Sequence, residues 1–387
     1  MSATYEVWIC DDRGQRKYLV EKFSSLSYSR TTHGFGTCQL ILPYVKYFSA
    51  MGTLPRPDMR IDIWRSPYSG IPARREGSYL IRKVTIYRRT TDNVTMLELF
   101  GRSPLDILRR QAWRTNEPIT DSIDNIMKTV VSGRFVTNLT AYSTSPNSFA
   151  SGVYTSLGEF ASDGNASDGP SITASFYLRN VLDILSDLKA TSFSLNEIDP
   201  ANKRIFFDLI EDESLVQNGF GYRFRTYPDL RGLDRTSGVV FSTENGNLQA
   251  PVYYEDYLDS VTSVFHFNSS ATWLSQSAQS SDQYLSRWNY VESANTGSES
   301  DQAADLTRIY SELKEQKSKR VFTADFLNSP GSKNQPRSLY GVDWDMGDLL
   351  PTKFADQTFT SEVAIVYVGI NDSGKETITG KTTVGSA

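Results

Sequence analysis

The sequence predicts an α+β fold that is mainly β, in which two β-rich regions stand on either side of a helix-containing segment. Tyr and Phe number 21 and 20, beside 25 Gly and 15 Pro, and this mixture is typical of strands and turns. Short stretches of alternating apolar and polar residues recur in the first hundred residues and again after residue 200. Most helical signals fall between these two groups of stretches.

The first β-rich region predicts a small antiparallel barrel or sandwich. Residues 60–65 alternate strictly, which is typical of a half-buried strand, and residues 91–93 supply a polar hairpin turn. The predicted strands of this region are residues 5–9, 17–20, 37–42, 60–65, 79–88 and 94–100.

Four helices are predicted from their caps and apolar stripes. The first follows Ser103 as N-cap, with Pro104 in the first helical position. The second covers residues 119–131 and ends at Gly133, and the third follows Asn180 as its cap. The fourth carries one apolar stripe, formed by Leu306, Ile309, Tyr310 and Leu313.

The order of these signals divides the 387 residues into three parts. Residues 1–112 are predicted to form a first β domain with the helix that follows it. Residues 113–200 form a helical, Ser/Gly-rich intervening domain. Residues 201–387 form a second β domain with an inserted segment at about 225–335.

Composition limits the chemistry. The only two cysteines, Cys10 and Cys38, exclude a disulfide framework and a Cys-based zinc site, so free thiols are expected. The only two histidines are His33 and His266, and no His-Glu-x-x-His helix occurs. A net charge of −5 argues against a general binder of nucleic acid or anionic membranes. No apolar run is long enough to span a membrane, and the first residues lack a signal-peptide pattern.

Two stretches resemble ligand-binding loops, and both are interpreted as turns. Residues 369–376 have phosphate-loop spacing after a strand, but Glu376 replaces the magnesium-binding hydroxyl and a β-like stretch follows, so a hairpin turn is predicted. Residues 343–348 begin like a calcium loop, but Gly347 and Phe354 stand where oxygen ligands are needed. A polar turn that enters a strand is predicted there, with a non-standard calcium site as the open alternative.

The remaining candidates give no catalytic set. Residues 34–36 lack the third glycine of a dinucleotide fingerprint, so a bulge or tight turn is predicted. His33 is interpreted as a loop residue, and His266 as a strand residue on the polar side. The pairs Arg74-Arg75 and Arg109-Arg110 are interpreted as solvated faces or inter-subunit pairing groups. No catalytic, cofactor-binding or metal-binding residue is assigned, and no enzyme activity is predicted.

The order of several segments resembles the hub proteins of phage tail tips and baseplates. Residues 5–14 and 23–30 resemble the first strands of that family, and residues 36–43 resemble its strand that ends in Leu-Pro. Further segments resemble its barrel strands, the helix that follows them and recurrent parts of its second half. These are residues 62–65, 79–84, 97–103, 244–248, 340–348 and 367–369.

This resemblance implies two tail-tube-like β-barrel domains with inserted helix-containing segments. It also implies a homotrimer whose six barrels form a ring, which joins the six-fold tail tube to the three-fold tip and anchors tip or fibre proteins. The implied partners are distal tail or tube proteins, the tape measure protein, spike or fibre proteins, and DNA in transit through the lumen. The implied location is the virion, after assembly in the host cytoplasm, and no cofactor is implied.

The alternative hypothesis is a carbohydrate-binding or carbohydrate-degrading β-protein of the tail tip. The 21 Tyr and six Trp suit stacking on sugar rings, and paired carboxylates could serve a glycosidase. However, 45 acidic residues give no signal that locates such a pair. The structural hub is therefore the preferred prediction.

Overall fold

A computed structural model describes most of the chain and shows a mainly β protein with a few helices, which confirms the predicted α+β class. Among the described residues, no helix is long and apolar enough to cross a membrane. The described residues are 3–32, 34–68, 70–113, 117–136, 160–258, 260–267, 274–279, 292–296, 309, 313, 319–333 and 335–382.

The N-terminal β-region contains seven strands and one short helix. All neighbouring strands in it pair antiparallel, and the polar turn predicted at residues 91–93 joins its two longest strands. Its elements are β1 (Thr4–Cys10), β2 (Arg16–Leu19), β3 (Ser25–Thr31), β4 (Thr37–Pro43), α1 (Tyr44–Met51), β5 (Arg60–Ser66), β6 (Arg74–Arg88) and β7 (Thr95–Arg102).

The described residues of the middle module (residues 105–228) form three α-helices and five short strands. Its elements are α2 (Leu105–Arg109), β8 (Ile119–Ser122), α3 (Ile123–Val131), β9 (Phe160–Ser162), β10 (Ser171–Ala174), α4 (Val181–Ile198), β11 (Ile205–Asp212) and β12 (Gly221–Pro228). The last two strands form an antiparallel hairpin, and β9 pairs parallel with β12.

The described residues of the C-terminal β-region form nine strands. Its elements are β13 (Phe241–Ser242), β14 (Leu248–Asp256), β15 (Ser263–Phe267), β16 (Leu274–Gln279), β17 (Glu292–Thr296), β18 (Lys319–Leu327), β19 (Leu349–Phe354), β20 (Gln357–Ile370) and β21 (Glu376–Thr382). Three of them, β15 to β17, form a separate small sheet.

Thirteen strands from both β-regions form one large sheet. Its order is β14-β18-β21-β20-β3-β4-β7-β6-β5-β1-β2, with β19 beside β20 and β13 beside β19. The two regions meet where β20 pairs antiparallel with β3, from Ile365 opposite Thr31 to Ile370 opposite Leu26. Strands that are more than 300 residues apart in the chain therefore share one set of backbone hydrogen bonds.

Two hydrophobic cores lie on opposite faces of this sheet. One face carries a core to which both β-regions contribute, including Val7 and Ile9 of β1 and Trp344 near the other end of the chain. The alternate residues of β1, Trp8 and Cys10, pack with helices α2 to α4 and with β11 and β12. Side chains alternate along a strand, so one strand serves both cores. We call the face opposite the shared core the outer face.

The outer face has two halves. The covered half, on β1, β5 and β6, lies under the middle module, which packs on Cys10 and Leu80. The open half, on β3, β4, β20 and β21, leaves Ser27, Tyr367 and Thr377 exposed. One side of the sheet is therefore covered by the middle module over one half and exposed to solvent over the other half.

The cap predicted for the first helix needs correction. Helix α2 begins at Leu105, after Pro104, and has no side-chain cap. The Ser103 hydroxyl instead accepts a hydrogen bond from the amide of Gly36 at 3.1 Å. The hydroxyl oxygen that the sequence predicted as the cap of α2 is therefore bonded to the residue that precedes β4.

The other helices follow the prediction to different degrees. Residues 119–122 form β8, so α3 begins only at Ile123, and a π-helical turn continues through Gly133 instead of ending there. Helix α4 begins after Asn180 as predicted, and the Asn180 side chain accepts the Leu182 amide at 2.9 Å.

Most of the predicted fourth helix lies outside the described residues. Two residues of its apolar stripe, Ile309 and Leu313, are described, and both are buried in a small third cluster with Val264. The division of the chain at residues 112 and 200 stays a prediction.

Candidate functional site: a buried charged junction between the two β-regions

Glu76 on β6, whose side chain is fully buried, is the centre of a charged junction between the two β-regions. Its Oε1 accepts a hydrogen bond from Arg74 Nε at 3.0 Å, and its Oε2 accepts one from the Tyr340 hydroxyl at 2.6 Å. Arg30 Nη1 lies 3.6 Å from Glu76 Oε2 and 3.0 Å from Asp345 Oδ1. Arg74 Nη1 also reaches Asp345, at 2.6 Å. Three residues of the N-terminal β-region therefore bind two residues that follow in the C-terminal β-region.

Arg65 on β5 forms the second part of the junction. Its Nε and Nη2 donate to the two carboxylate oxygens of Glu376 at 2.8 and 3.0 Å, a two-point contact that fixes both groups. Its Nη1 donates to the Tyr340 carbonyl at 3.1 Å. The Tyr5 hydroxyl also donates to Glu376. The junction therefore joins β1 and β5 to the start of β21.

The opposite charges in this junction stabilise one another's ionised forms. Burial alone would lower the pKa of Arg30, but Tyr340, Asp345 and Glu76 raise it well above its ordinary value. Burial acts against the charged form of Asp345, yet Arg30 and Arg74 keep the pKa of that carboxyl below its ordinary value. These ion pairs consequently persist at neutral pH, and removal of one partner would leave a buried charge uncompensated.

The Asp-rich turn that resembles a calcium loop is part of the same arrangement and is a polar turn, as predicted. Asp343 accepts from Arg337 Nη2 at 2.8 Å, Asp345 belongs to the junction, and Asp348 accepts from Arg235 Nε at 2.7 Å. All three carboxylates are thus bound by arginine. Within the described residues, no group of three or more His, Cys, Asp or Glu side chains is arranged to hold a metal ion.

The arginines of both pairs, which the sequence predicted as solvated faces or inter-subunit groups, form ion pairs within the chain, and the Arg109 side chain is also 47% exposed. Arg109 Nη2 and Arg110 Nη2 lie 3.4 and 2.8 Å from Asp106, whose side chain is 2% exposed. Arg74 binds the carboxylates of the junction, and Arg75 binds those of a second charged contact, which lies under the middle module.

This second contact, the seam, fixes the middle module to the covered half of the outer face. Arg60 on β5 donates to the Phe220 carbonyl at 2.5 Å. Arg75 lies between two acids, 2.9 Å from Asp62 and 3.1 Å from Glu213. The prediction of a half-buried strand at residues 60–65 is wrong, because Arg60 and Asp62 are covered by the middle module and pair there, while Arg65 is buried in the junction on the other face. Arg60 and Asp62 are only 3% and 0% exposed.

Glu211 on β11 belongs to the seam, and its pKa lies above the ordinary value of a glutamate. Its Oε1 accepts the Ser78 amide at 2.8 Å. Burial raises the pKa of Glu211 to about 7, although Arg75 acts in the opposite direction. Burial likewise raises the pKa of Asp62, again against Arg75. One carboxyl group of the seam therefore changes its charge near neutral pH.

The cysteines and histidines contribute no reactive cluster among the described residues. Cys10 and Cys38 are free and buried, as predicted. Burial raises the pKa of the Cys10 thiol to about 12, which keeps it protonated and unreactive. His33 lies outside the described residues. His266 on β15 is 4% exposed, so the prediction that it faces the polar side is wrong.

The hairpin turn predicted for one glycine-containing stretch is confirmed, and the glycine of a second stretch is explained by a close approach of the backbone. The stretch with phosphate-loop spacing is the hairpin turn between β20 and β21, closed by the Asn371 amide on the Lys375 carbonyl at 3.2 Å. At Gly36 the chain passes so close to β3 that a Cβ would lie 2.1 Å from the Ser29 carbonyl oxygen. Steric necessity explains this glycine without any nucleotide.

Sequence reasoning missed the junction, although one signal for it was present. Arg65 follows Ile61 and Ile63 at a spacing of two residues, and both isoleucines lie in the shared core. A charge at the next inward position predicts a buried ion pair, because an isolated buried charge is not tolerated. Its partner, Glu376, could not be found in this way, since 311 positions separate the two residues.

The combination of one large sheet and a helical middle module also occurs in several solved structures. Neither a protein-family model nor a curated protein sequence matches the chain. Among solved structures, it is similar to a tail protein from Neisseria meningitidis MC58, with 8% identity, a TM-score of 0.53, and coverage of 99% of this chain and 97% of that one.

Two further structures support the same fold. The 43 kDa tail protein of prophage MuSo2 from Shewanella oneidensis has 10% identity and a TM-score of 0.54, with 98% of each chain covered. A chain of the Francisella PdpA–VgrG complex has 11% identity and a TM-score of 0.51, with 99% of this chain and 58% of that one covered. The chain therefore has the fold of these proteins, as the family resemblance implies.

Proposed function

We propose that this chain is a structural hub protein of a phage tail tip or baseplate. The observation that carries the proposal is the likeness in fold to two tail proteins over nearly the whole of both chains. In this proposal three copies form a ring that joins the six-fold tail tube to the three-fold tip and anchors tip or fibre proteins.

The junction gives a physical basis for such a role. A subunit that replaces two tube subunits must hold its two β-regions in one fixed orientation. The β3–β20 pairing and the buried ion pairs of Glu76 and Arg65 couple the two regions through backbone and side chains. In the proposed division, residues 1–112 and 201–387 supply the two barrels, and residues 113–200 supply the intervening domain.

The proposed partners follow from this position in the tail. They are a second and third copy of the chain, distal tail or tube proteins, the tape measure protein, and spike or fibre proteins, while DNA passes through the lumen. The PdpA–VgrG structure is a complex of a protein of this fold with another protein, which supports a role in protein–protein contact. The proposed location is the virion, after assembly in the host cytoplasm, and the proposed role is non-enzymatic.

The test is the mass and symmetry of the assembled protein. Light scattering of the purified full chain is expected to give three times its mass of 43.5 kDa, and electron microscopy of tail particles is expected to show three copies at the tip. A strictly monomeric chain that is absent from tail particles would contradict the proposal.

A further inference from the structure

The open half of the outer face contains a groove with a volume of about 340 Å³. It lies across the line where β3 pairs with β20, and β4 and β21 form its flanks. Its volume is within the lower range of small-molecule binding sites. The groove is separate from the junction, which lies on the other face of the sheet.

The lining of this groove is uncharged and combines apolar surface with hydroxyl and amide groups. None of the described residues that line it is Asp, Glu, Lys, Arg or His. Besides the tyrosines, six lining side chains carry hydroxyl or amide groups, and these are Ser27, Ser29, Thr37, Gln39, Thr377 and Thr379. Ser29 and Thr37 bond to each other at 3.3 Å, and Gln39 donates to Glu98. The hydroxyls of Ser27, Thr377 and Thr379 have no hydrogen-bond partner in the part of the chain that the structure describes, so they are available to a ligand.

Two residues of β20 give the groove its shape. The Tyr367 side chain is 45% exposed, and Lys381 at the rim lies 5.8 Å from its ring centre, which helps to orient the ring. Gly369, the next residue on the same face, leaves its position empty, because a Cβ there would meet no atom within 4 Å. A glycine inside a strand often marks a site where another molecule approaches the backbone.

We propose that this groove binds a neutral oligosaccharide, with one sugar ring against Tyr367 and the next above Gly369. Aromatic rings offer an apolar face to the C–H side of a sugar, and the free hydroxyls can bond with the sugar hydroxyls as donors and as acceptors. A phosphate or nucleic-acid ligand would need a cluster of cations, whereas none of the described lining residues is a cation and Lys381 at the rim lies against the Tyr367 ring. A peptide that adds a strand would need an unpaired sheet edge, yet β3 and β20 are paired on both sides.

Calorimetric titration of the full chain with chitotetraose and with maltohexaose tests the proposal. At least one of these neutral probes is expected to bind in the millimolar range or tighter. Tyr367→Ala is expected to weaken binding about tenfold, in line with the loss of one stacking contact. Gly369→Val is expected to abolish binding, because its side chain fills the groove without a clash. Tyr254→Ala is the matched control, since this tyrosine is 48% exposed on the distant edge strand β14.

Three results would overturn the proposal. One is the absence of binding by both probes up to about 10 mM. Another is binding that Tyr367→Ala and Gly369→Val leave unchanged. The third is tighter binding of a sulfated heparin tetrasaccharide than of either neutral probe. Thermal unfolding verifies that each variant is folded. If Gly369→Val does not fold, the binding measured for Tyr367→Ala alone tests the proposal. This inference does not rest on the hub assignment, because every residue that lines the groove belongs to one chain.

Discussion

The two halves of the outer face use the same sheet in opposite ways. On the covered half, Arg60 and Asp62 stand in alternate positions on β5 and are buried by the middle module. On the open half, Ser27 and Ser29 stand in alternate positions on β3 and face the groove. Arg60 and Asp62 bond with groups of the same chain under the middle module, whereas the Ser27 hydroxyl has no partner among the described residues. Polar alternation in a strand therefore does not by itself indicate contact with solvent.

The largest effect is expected from the buried charge that both β-regions share. Glu76→Ala removes the fully buried one of the two carboxylates that Arg30 and Arg74 share, so the free energy of unfolding should fall by about 3–5 kcal/mol. Urea unfolding of the purified chain measures this. The control is Glu213→Ala, whose side chain is 65% exposed beside Arg75, and a loss below about 1 kcal/mol is expected there. Equal losses in the two variants would show that burial does not distinguish these ion pairs.

An intermediate effect, dependent on pH, is expected in the seam. Because the pKa of Glu211 is raised to about 7 in the fold from an ordinary 4.5, its contribution to stability is complete below pH 4.5 and is lost as the pH rises through 7. Glu211→Gln should therefore be more stable than the unmodified chain at pH 8, by roughly 1–3 kcal/mol, and should lose this advantage at pH 5.

Unfolding curves at pH 5 and pH 8 provide the measurement. Glu213→Gln, two residues away and largely exposed, serves as the control and should show no such change. An advantage of Glu211→Gln that is the same at both pH values would mean that Glu211 does not titrate in this range.

The smallest effect is expected on the open half. Ser27→Ala and Thr377→Ala remove hydroxyls that have no partner among the described residues, so the free energy of unfolding should change by no more than about 0.5 kcal/mol. Thermal unfolding of both variants checks this. A loss above 2 kcal/mol in either one would place these side chains in a packed interface and would remove the contrast between the halves.

Local features could be predicted from the sequence, whereas the contacts between distant segments could not. The cap at Asn180 and the hairpin turn at Asn371 depend on a few neighbouring residues, and both were predicted correctly. The burial of Arg60 and Asp62 depends on the middle module, which follows much later in the chain. The prediction of a half-buried strand was therefore wrong. Ser103 is a similar case, because its hydroxyl accepts the amide of Gly36 instead of capping helix α2.

The pairing of β3 with β20 has a consequence for synthesis of the protein. The ribosome produces β3 more than 300 residues before its partner, so during translation one edge of the early sheet has no neighbour. Exposed edges invite pairing with other chains, and contacts of such long sequence separation form slowly. Nascent chains on one messenger are therefore prone to premature edge-to-edge association, and a holding chaperone that shields β3 would raise the yield of correctly closed sheets.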